Sequence, residues 1–360
     1  MHQQSPRAGR EGDVLAVVSQ SGPAVSFHDV ACDRHLGTVE VPAEPHELCF
    51  DPVQRLLWCS STYRSGYYHA NTGRNTELTV IDPDTRRIVE VVDLAPEHGP
   101  HGLALDAARG RLYVSVEGAA DRPGGVVVID TATRRPLGRI DTGAPGPHWF
   151  AIDPTGRTGY AANKEAPFVS VVDLERGALT GKVAVPGSEG IAVSADGAHV
   201  FVAAPYAGAA EGRTPGIRVI DTGTLSVTAT LPTEHVVMPV HLTSTGKLLT
   251  GEVRTRPALG SGPESVSALG RQVPGRLTVF SAATRERLGE LEVGAMPLTV
   301  RSSPDGRLAY VACVVSSTVH VIDLDTLRTL TRLDITKRGE PGAHGLAYIP
   351  RHVPLAAALR

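Results

Sequence analysis

The chain has 360 residues, 41% of them apolar and 20% charged, with a net charge of −3 when histidine is neutral. No basic stretch is long, which argues against a nucleic-acid partner, and no apolar run approaches the ~20 residues of a membrane helix. The opening MHQQSPRAGREGD has no apolar core, so neither signal peptide nor anchor is expected, and the location this predicts is cytoplasmic.

Residues 1–12 read as a tail. Strand-like runs follow at Val14–Val18, Val25–Val30 and His35–Val41, and then a unit of four short β-runs recurs. Its copies run from Pro45 to Leu94, Pro100 to Ile140, Pro147 to Val185, Ser188 to Leu231, Pro239 to Val293 and Pro297 to Ile335. The clearest copy holds His101–Leu105, Leu112–Val116, Val126–Ile129 and Pro136–Ile140, each β-branched or alternating and bounded by turn residues. A last lone run, Ala343–Tyr348, precedes a second tail at 351–360. The third strand of each copy ends alike: Val80-Ile81-Asp82, Val128-Ile129-Asp130, Val172-Asp173, Val219-Ile220-Asp221 and Val321-Ile322-Asp323, with Val279-Phe280-Ser281 the exception.

Asp82, Asp130, Asp173 and Asp221 are 48, 43 and 48 residues apart. Four strands at that period predict an all-β, seven-bladed β-propeller over residues 13–350, with four-stranded antiparallel blades. An open solenoid is the rival. The ends of the chain argue against it: the N-terminus supplies the last three strands of a blade and the C-terminus supplies one first strand. Pairing them closes a ring and leaves no open sheet edge.

Four cysteines show no CxxC pair. Cys49 and Cys59 flank the turn at 51–55 symmetrically and could face each other across a hairpin, but a reducing compartment argues against a disulfide.

Turns joining strands one to two and three to four share one face and are short in every copy. The connections on the opposite face vary, with long loops at Ser60–Glu77, Ala204–Gly216 and Glu252–Gly275. Variable loops on a regular scaffold are where sites are usually built. The start of each innermost strand reaches that same face, and the equivalent positions read His46, His101, His148, Glu189, Val240, Leu298 and His344. His241 could take the place of Val240, and Glu47 is expected to point away because strand neighbours alternate.

Three readings of this ring compete. The imidazoles could simply satisfy backbone groups and water around the channel. They could bind a divalent metal (Zn, Fe, Cu or Mn) through His46, His101, His148 and His344. Or, in the favoured reading, which requires no cofactor, Glu189 with His101 or His148 performs acid–base chemistry on a small molecule. No HExxH motif supports the metal, and Leu298 with Val240 leaves one apolar wall suited to an organic ligand. Elimination, lactone opening and a Pictet–Spengler-type condensation all fit such a ring. Binding without catalysis is the competing class.

Rim residues add ligand chemistry. Tyr63, Arg64, Tyr67 and Tyr68 cluster in one loop, where they could stack an aromatic group or hold a carboxylate. Lys164 ends a second strand, Tyr206 lies in the blade-four loop, and Glu252 and Arg254 open the blade-five loop, whose Gly/Ser-rich remainder could act as a lid. The expected partner is therefore a small molecule, aromatic or carboxylate-bearing, with the protein a monomer or weak dimer. Nucleophile elbows, phosphate loops and CxxCH haem attachment are absent from the sequence.

The second strands read LYVSV (112–116), GYAAN (159–163), VFVAA (200–204) and AYVAC (309–313), followed by a VID-like strand and, in all but the second of these, a threonine-bearing turn. First strands end in turns such as Asp153-Pro154-Thr155-Gly156-Arg157 and Ser303-Pro304-Asp305-Gly306-Arg307. Over nearly the whole chain this resembles the YVTN-repeat branch of the seven-bladed propellers. The resemblance implies the fold and a structural place for Tyr113, Tyr160 and Tyr310. It leaves activity open, because the family includes binding proteins, metal-dependent lyases and lactonases, and oxidases.

Overall fold

The computed structural model describes residues 10–67, 70–205, 214–256, 271–338 and 342–351. Seven four-stranded antiparallel sheets form seven blades. The first strand of each blade touches the first strands of both neighbouring blades, in an unbroken cycle around a central axis. The closing blade is composite: His35–Glu40, Ala24–Asp29 and Val14–Ser19 come from the N-terminus, and the innermost strand Ala343–Ile349 comes from the other end. Val14 pairs with Ile349 and Ser19 with Ala343, so the two ends of the barrel-like ring are tied by a full strand ladder. Among the described residues, no helix is long and apolar enough to cross a membrane.

The recurring aspartate has a local cause. After the third strand the chain must reverse, and the Asp side chain caps that turn by accepting from backbone amides two and three residues on. Asp82 Oδ1 accepts from Asp84 and Thr85, Asp173 from Glu175 and Arg176, and Asp323 from Asp325 and Thr326. In blade five Ser281 Oγ takes the same role, accepting from Thr284 N at 3.1 Å, so the copy that departs from the pattern keeps its geometry.

Alternation along the strands sends one set of side chains to each face of a blade, and the faces meet in seven buried apolar clusters, one in each seam between blades. Tyr113, Tyr160 and Tyr310 lie in these seams, at most 3% exposed. Cys49 pairs with Trp58 and Cys59 with Leu48, one step out of register with each other, and all four cysteines are free.

Where the innermost strands begin, the ladder carries a repeated irregularity. His46 N donates to Ser60 O while Ser60 N donates to Glu47 O, so two residues oppose one. His101 and Gly102 oppose Ser115 in the same way, and Glu189 and Gly190 oppose Ala203. The second residue of each bulge presses on the next blade: a Cβ on Gly102 would stand 2.5 Å from His148 O, and one on Gly190 2.4 Å from Val240 N. Replacing Gly190 by Ala should cost about 1–3 kcal/mol through overpacking. Gly138→Ala, where a Cβ meets nothing within 4 Å, should leave stability unchanged or slightly raised. Urea unfolding of the two variants checks this; equal stability would mean that the blades do not approach as closely as described.

Candidate functional site

Circular closure brings residues from both ends and the middle of the chain to one mouth. The imidazoles of His344, His46, His101 and His148 form a continuous row, with ring centroids 4.1, 4.1 and 3.6 Å apart in that order. Carboxylates stand at both ends of the row. Glu189 Oε2 is 2.7 Å from His148 Nδ1, and Glu189 Oε1 is 3.3 Å from Lys164 Nζ. Glu47 Oε1 lies 3.4 Å from His344 Nδ1 and 3.7 Å from His46 Nδ1. Both carboxylates are almost wholly buried, whereas the side chains of His46, His148 and Lys164 keep 12, 16 and 16% exposure, so the row opens to solvent at these three.

Electrostatics follow from that burial. Loss of hydration, then the neighbouring His344, lowers the His46 pKa to about 3, and burial together with the adjacent histidines takes His101 well below the usual value. These two rings are therefore neutral near pH 7 and have lone pairs to offer. Burial works to raise the Glu189 pKa, but His148 and Lys164 outweigh it and hold the carboxyl below its ordinary value. Both oxygens of Glu47, both nitrogens of His101, Glu189 Oε1 and the Nδ1 atoms of His46, His148 and His344 are buried without a well-aligned hydrogen bond. Buried polar atoms without partners are costly, and so many at one mouth mark a place built to meet something else.

The expected ring is gathered for His46, His101, His148, Glu189 and His344, and Lys164 joins it. Blade five differs. Its innermost strand begins at Val236 rather than Pro239, and Gly190 N donates to Met238 O just as Gly102 N donates to His148 O. Met238, not Val240, therefore holds the ring place, and with Leu298 it forms the apolar side of the mouth. Val240 is buried in the seam with blade four. His241 lies a level deeper, its Nε2 2.9 Å from Ser302 Oγ.

Rim residues separate from the ring. Tyr63 is 5% exposed and gives its hydroxyl to Glu117 Oε1 at 2.7 Å. With Arg74, Arg122 and Glu165 it lines a polar cavity of about 440 Å³ between the loops of blades one to three. Arg64 is exposed on the same loop, and Tyr67 lies in a two-residue strand paired with Ala70–Asn71. Tyr68 and Tyr206 fall outside the described residues, as does 257–270 of the blade-five loop. Glu252 is fully buried, accepting from Thr278 Oγ1 and, at 3.1 Å, from His235 N. Arg254 reaches Pro274 O and Glu292 on the outer strands.

Glu47 overturns the expectation that it points away. Alternation assumes a regular strand, and the bulge at His46–Glu47 breaks it, turning both side chains to the mouth. The sequence did carry a signal: Glu47 and Trp149 stand where three other blades have Gly102, Gly190 and Gly345. Glu47 also changes the candidate metal donors. The set whose ligand atoms all lie within 4.8 Å of one another is His46, Glu47 and His344, rather than four histidines.

No family model matches the sequence, and no curated protein matches it. Among solved structures, a chain of Kuenenia stuttgartiensis hydrazine synthase shares the fold, with a TM-score of 0.62 and 18% identity over 87% of this chain and 88% of that one. At that identity the likeness extends to the propeller architecture alone.

Burial, with Arg301 adding repulsion, lowers the pKa of His241 to about 3. The unfolded chain, with an ordinary value near 6.5, binds the proton first, so His241 should erode stability as pH falls below about 6.5 and continue to do so down to about 3. His241→Gln should therefore lose less stability than the parent between pH 7 and pH 4, by on the order of 1–3 kcal/mol. Urea unfolding at both pH values measures the difference; parallel losses would contradict the assignment.

Proposed function

We propose that the protein is an enzyme that converts a small molecule by acid–base chemistry at the channel mouth. The observation that carries this reading is the contact of Glu189 with His148 Nδ1 at 2.7 Å while Lys164 holds the other carboxylate oxygen. A carboxylate at Nδ1 favours the tautomer protonated there, which leaves Nε2 of this mostly buried ring as the base. Lys164 keeps Glu189 ionised and in place. His101, stacked on His148 and neutral, adds no positive charge beside that base. Met238 and Leu298 offer an apolar wall to the substrate's body. Elimination, lactone opening and Pictet–Spengler-type condensation each need a proton removed and returned at such a mouth. The resemblance of its repeats to the YVTN type supports this reading, because propellers of that type include enzymes.

Glu189→Gln keeps the shape and removes the charge. Turnover should fall about 10²–10⁴-fold with a melting temperature close to the parent's. A screen of lactones, β-substituted carboxylates and arylethylamine–aldehyde pairs supplies the assay. Undiminished turnover in the variant would remove Glu189 from the mechanism.

A second reading has its own support. Glu47 is a buried carboxylate that, among the described residues, has no lysine or arginine beside it and two imidazoles at hand, and such a charge calls for a cation. His46, Glu47 and His344 form a two-histidine, one-carboxylate donor set suited to Zn, Fe or Mn. When bound, the metal would supply Lewis acidity to a substrate oxygen at the mouth. Elemental analysis of untagged protein should then find close to one metal per chain, and Glu47→Gln and His344→Ala should lose it. Metal content unchanged by these substitutions would contradict the donor set.

A further inference from the structure

Three residues beyond the ring, about 10 Å down each innermost strand at ~3.3 Å per residue, the equivalent positions are alanine in four blades and Cys49, His241 and Arg301 in the other three. Alanine leaves space, and at this level Cys49, His241 and Arg301 all retain solvent-accessible surface. Side chains are therefore small at this level in four of the seven blades. Arg301 belongs to blade six, yet its guanidinium lies 5.4 Å from the ring of Trp149 in blade three, so its side chain reaches across the axis. Trp149 in turn stands 6.2 Å from the His101 ring. One indole thus links the cation in the channel to the row of histidines above.

The charge of Arg301 is poorly matched. Its Nη1 donates to Val300 O at 3.1 Å, and among the described residues no carboxylate forms an ion pair with it. Of the carboxylates of the mouth, Glu189 is engaged by His148 and Lys164, and Glu47 faces His46 and His344 at the other end of the row. Other arginines of the molecule commonly have such partners: Arg55 has Asp84, Arg111 has Asp130 and Arg276 has Glu290. A guanidinium in a narrow channel, with free donors and an aromatic platform, is the arrangement that recognises a carboxylate on an apolar or aromatic body.

We propose that the channel beneath the histidine row is an anion subsite, in which Arg301 anchors the carboxylate of an organic acid and Trp149 covers its apolar part. The proposal rests on the reading that the mouth is where the substrate reacts, and it names the substrate class: a monocarboxylate whose reactive carbon stands above the acid group, beside His101 and His148. It also moves acid recognition from the rim arginine Arg64, which is exposed on its loop, to the channel interior.

The chain has two tryptophans, and Trp58 is wholly buried in the seam between blades one and two. Quenching by a ligand in the channel therefore reports on Trp149. Phenylacetate should quench saturably, and its neutral counterpart phenylacetamide should bind about tenfold or more weakly. Arg301→Met should abolish that preference, and Arg301→Lys should retain part of it; both variants are compared by calorimetry at matched melting temperature. Glu189→Gln should still bind phenylacetate. Absence of saturable phenylacetate binding at millimolar concentration, equal affinity for the amide, or a preference that survives Arg301→Met would each overturn the subsite. Because these readouts need no turnover, the subsite can fail while Glu189-dependent activity stands, or hold while that activity fails.

Discussion

The structure depends on the pairing of Val14–Ser19 with Ala343–Ile349. A four-stranded blade has two apolar faces and cannot bury either alone, so each blade is stabilised by its neighbours. A row of such blades would end in two exposed faces and two open edges. Sharing one blade between the ends of the chain removes both at once, and it has a chemical consequence. It sets His344, near the end of the chain, against His46 at 4.1 Å, with Glu47 between them. Without closure the mouth would lose one end of its row and its second carboxylate would have one imidazole neighbour.

Closure also creates crowding, and crowding shapes the site. Seven innermost strands converge on the axis most tightly where they begin, and there the bulge places two residues against one. In three blades the second of these is glycine because the next strand leaves no room for a Cβ. In blade one it is Glu47 and in blade three Trp149, and each has a place to go: Glu47 turns to the imidazoles, and Trp149 lies under His101 and against Arg301. Blades five and six carry Pro239 and Thr299 there, and the two largest departures, Glu47 and Trp149, give the mouth its second charge and the channel its aromatic wall. Large side chains tolerated at a crowded position are where the regular scaffold gives way to local chemistry.

Much of this was legible in the sequence, and the limits have physical causes. The blade number, the composite closing blade and the gathering of His46, His101, His148, Glu189 and His344 followed from periodicity, because equivalent residues of a closed repeat must share a ring. Blade five misled, since its innermost strand lacks a Pro-His or Ser-Glu start; Val237 and Met238 took those places, and only the hydrogen bond from Gly190 to Met238 O settles the register. Glu47 was misplaced by an alternation rule that holds inside strands and fails at bulges. A lone arginine at a mid-strand position, such as Arg301, resembles any solvated charge until the axis is known to run past it. Composition marks Tyr63 and Glu252 as rim candidates, but it does not reveal that Glu117 and His235 already occupy them.

The central claim is that the mouth is a desolvated cluster in which His46 and His101 stay neutral beside ionised carboxylates. Long-range proton–nitrogen NMR correlation on protein labelled with ¹⁵N in histidine, recorded at pH 5, tests it most directly. A histidine with an ordinary pKa would be almost wholly protonated at that pH, whereas the account predicts that His46 and His101 remain neutral, assigned through His46→Gln and His101→Gln. Protonated imidazolium signals for both residues at pH 5 would contradict it.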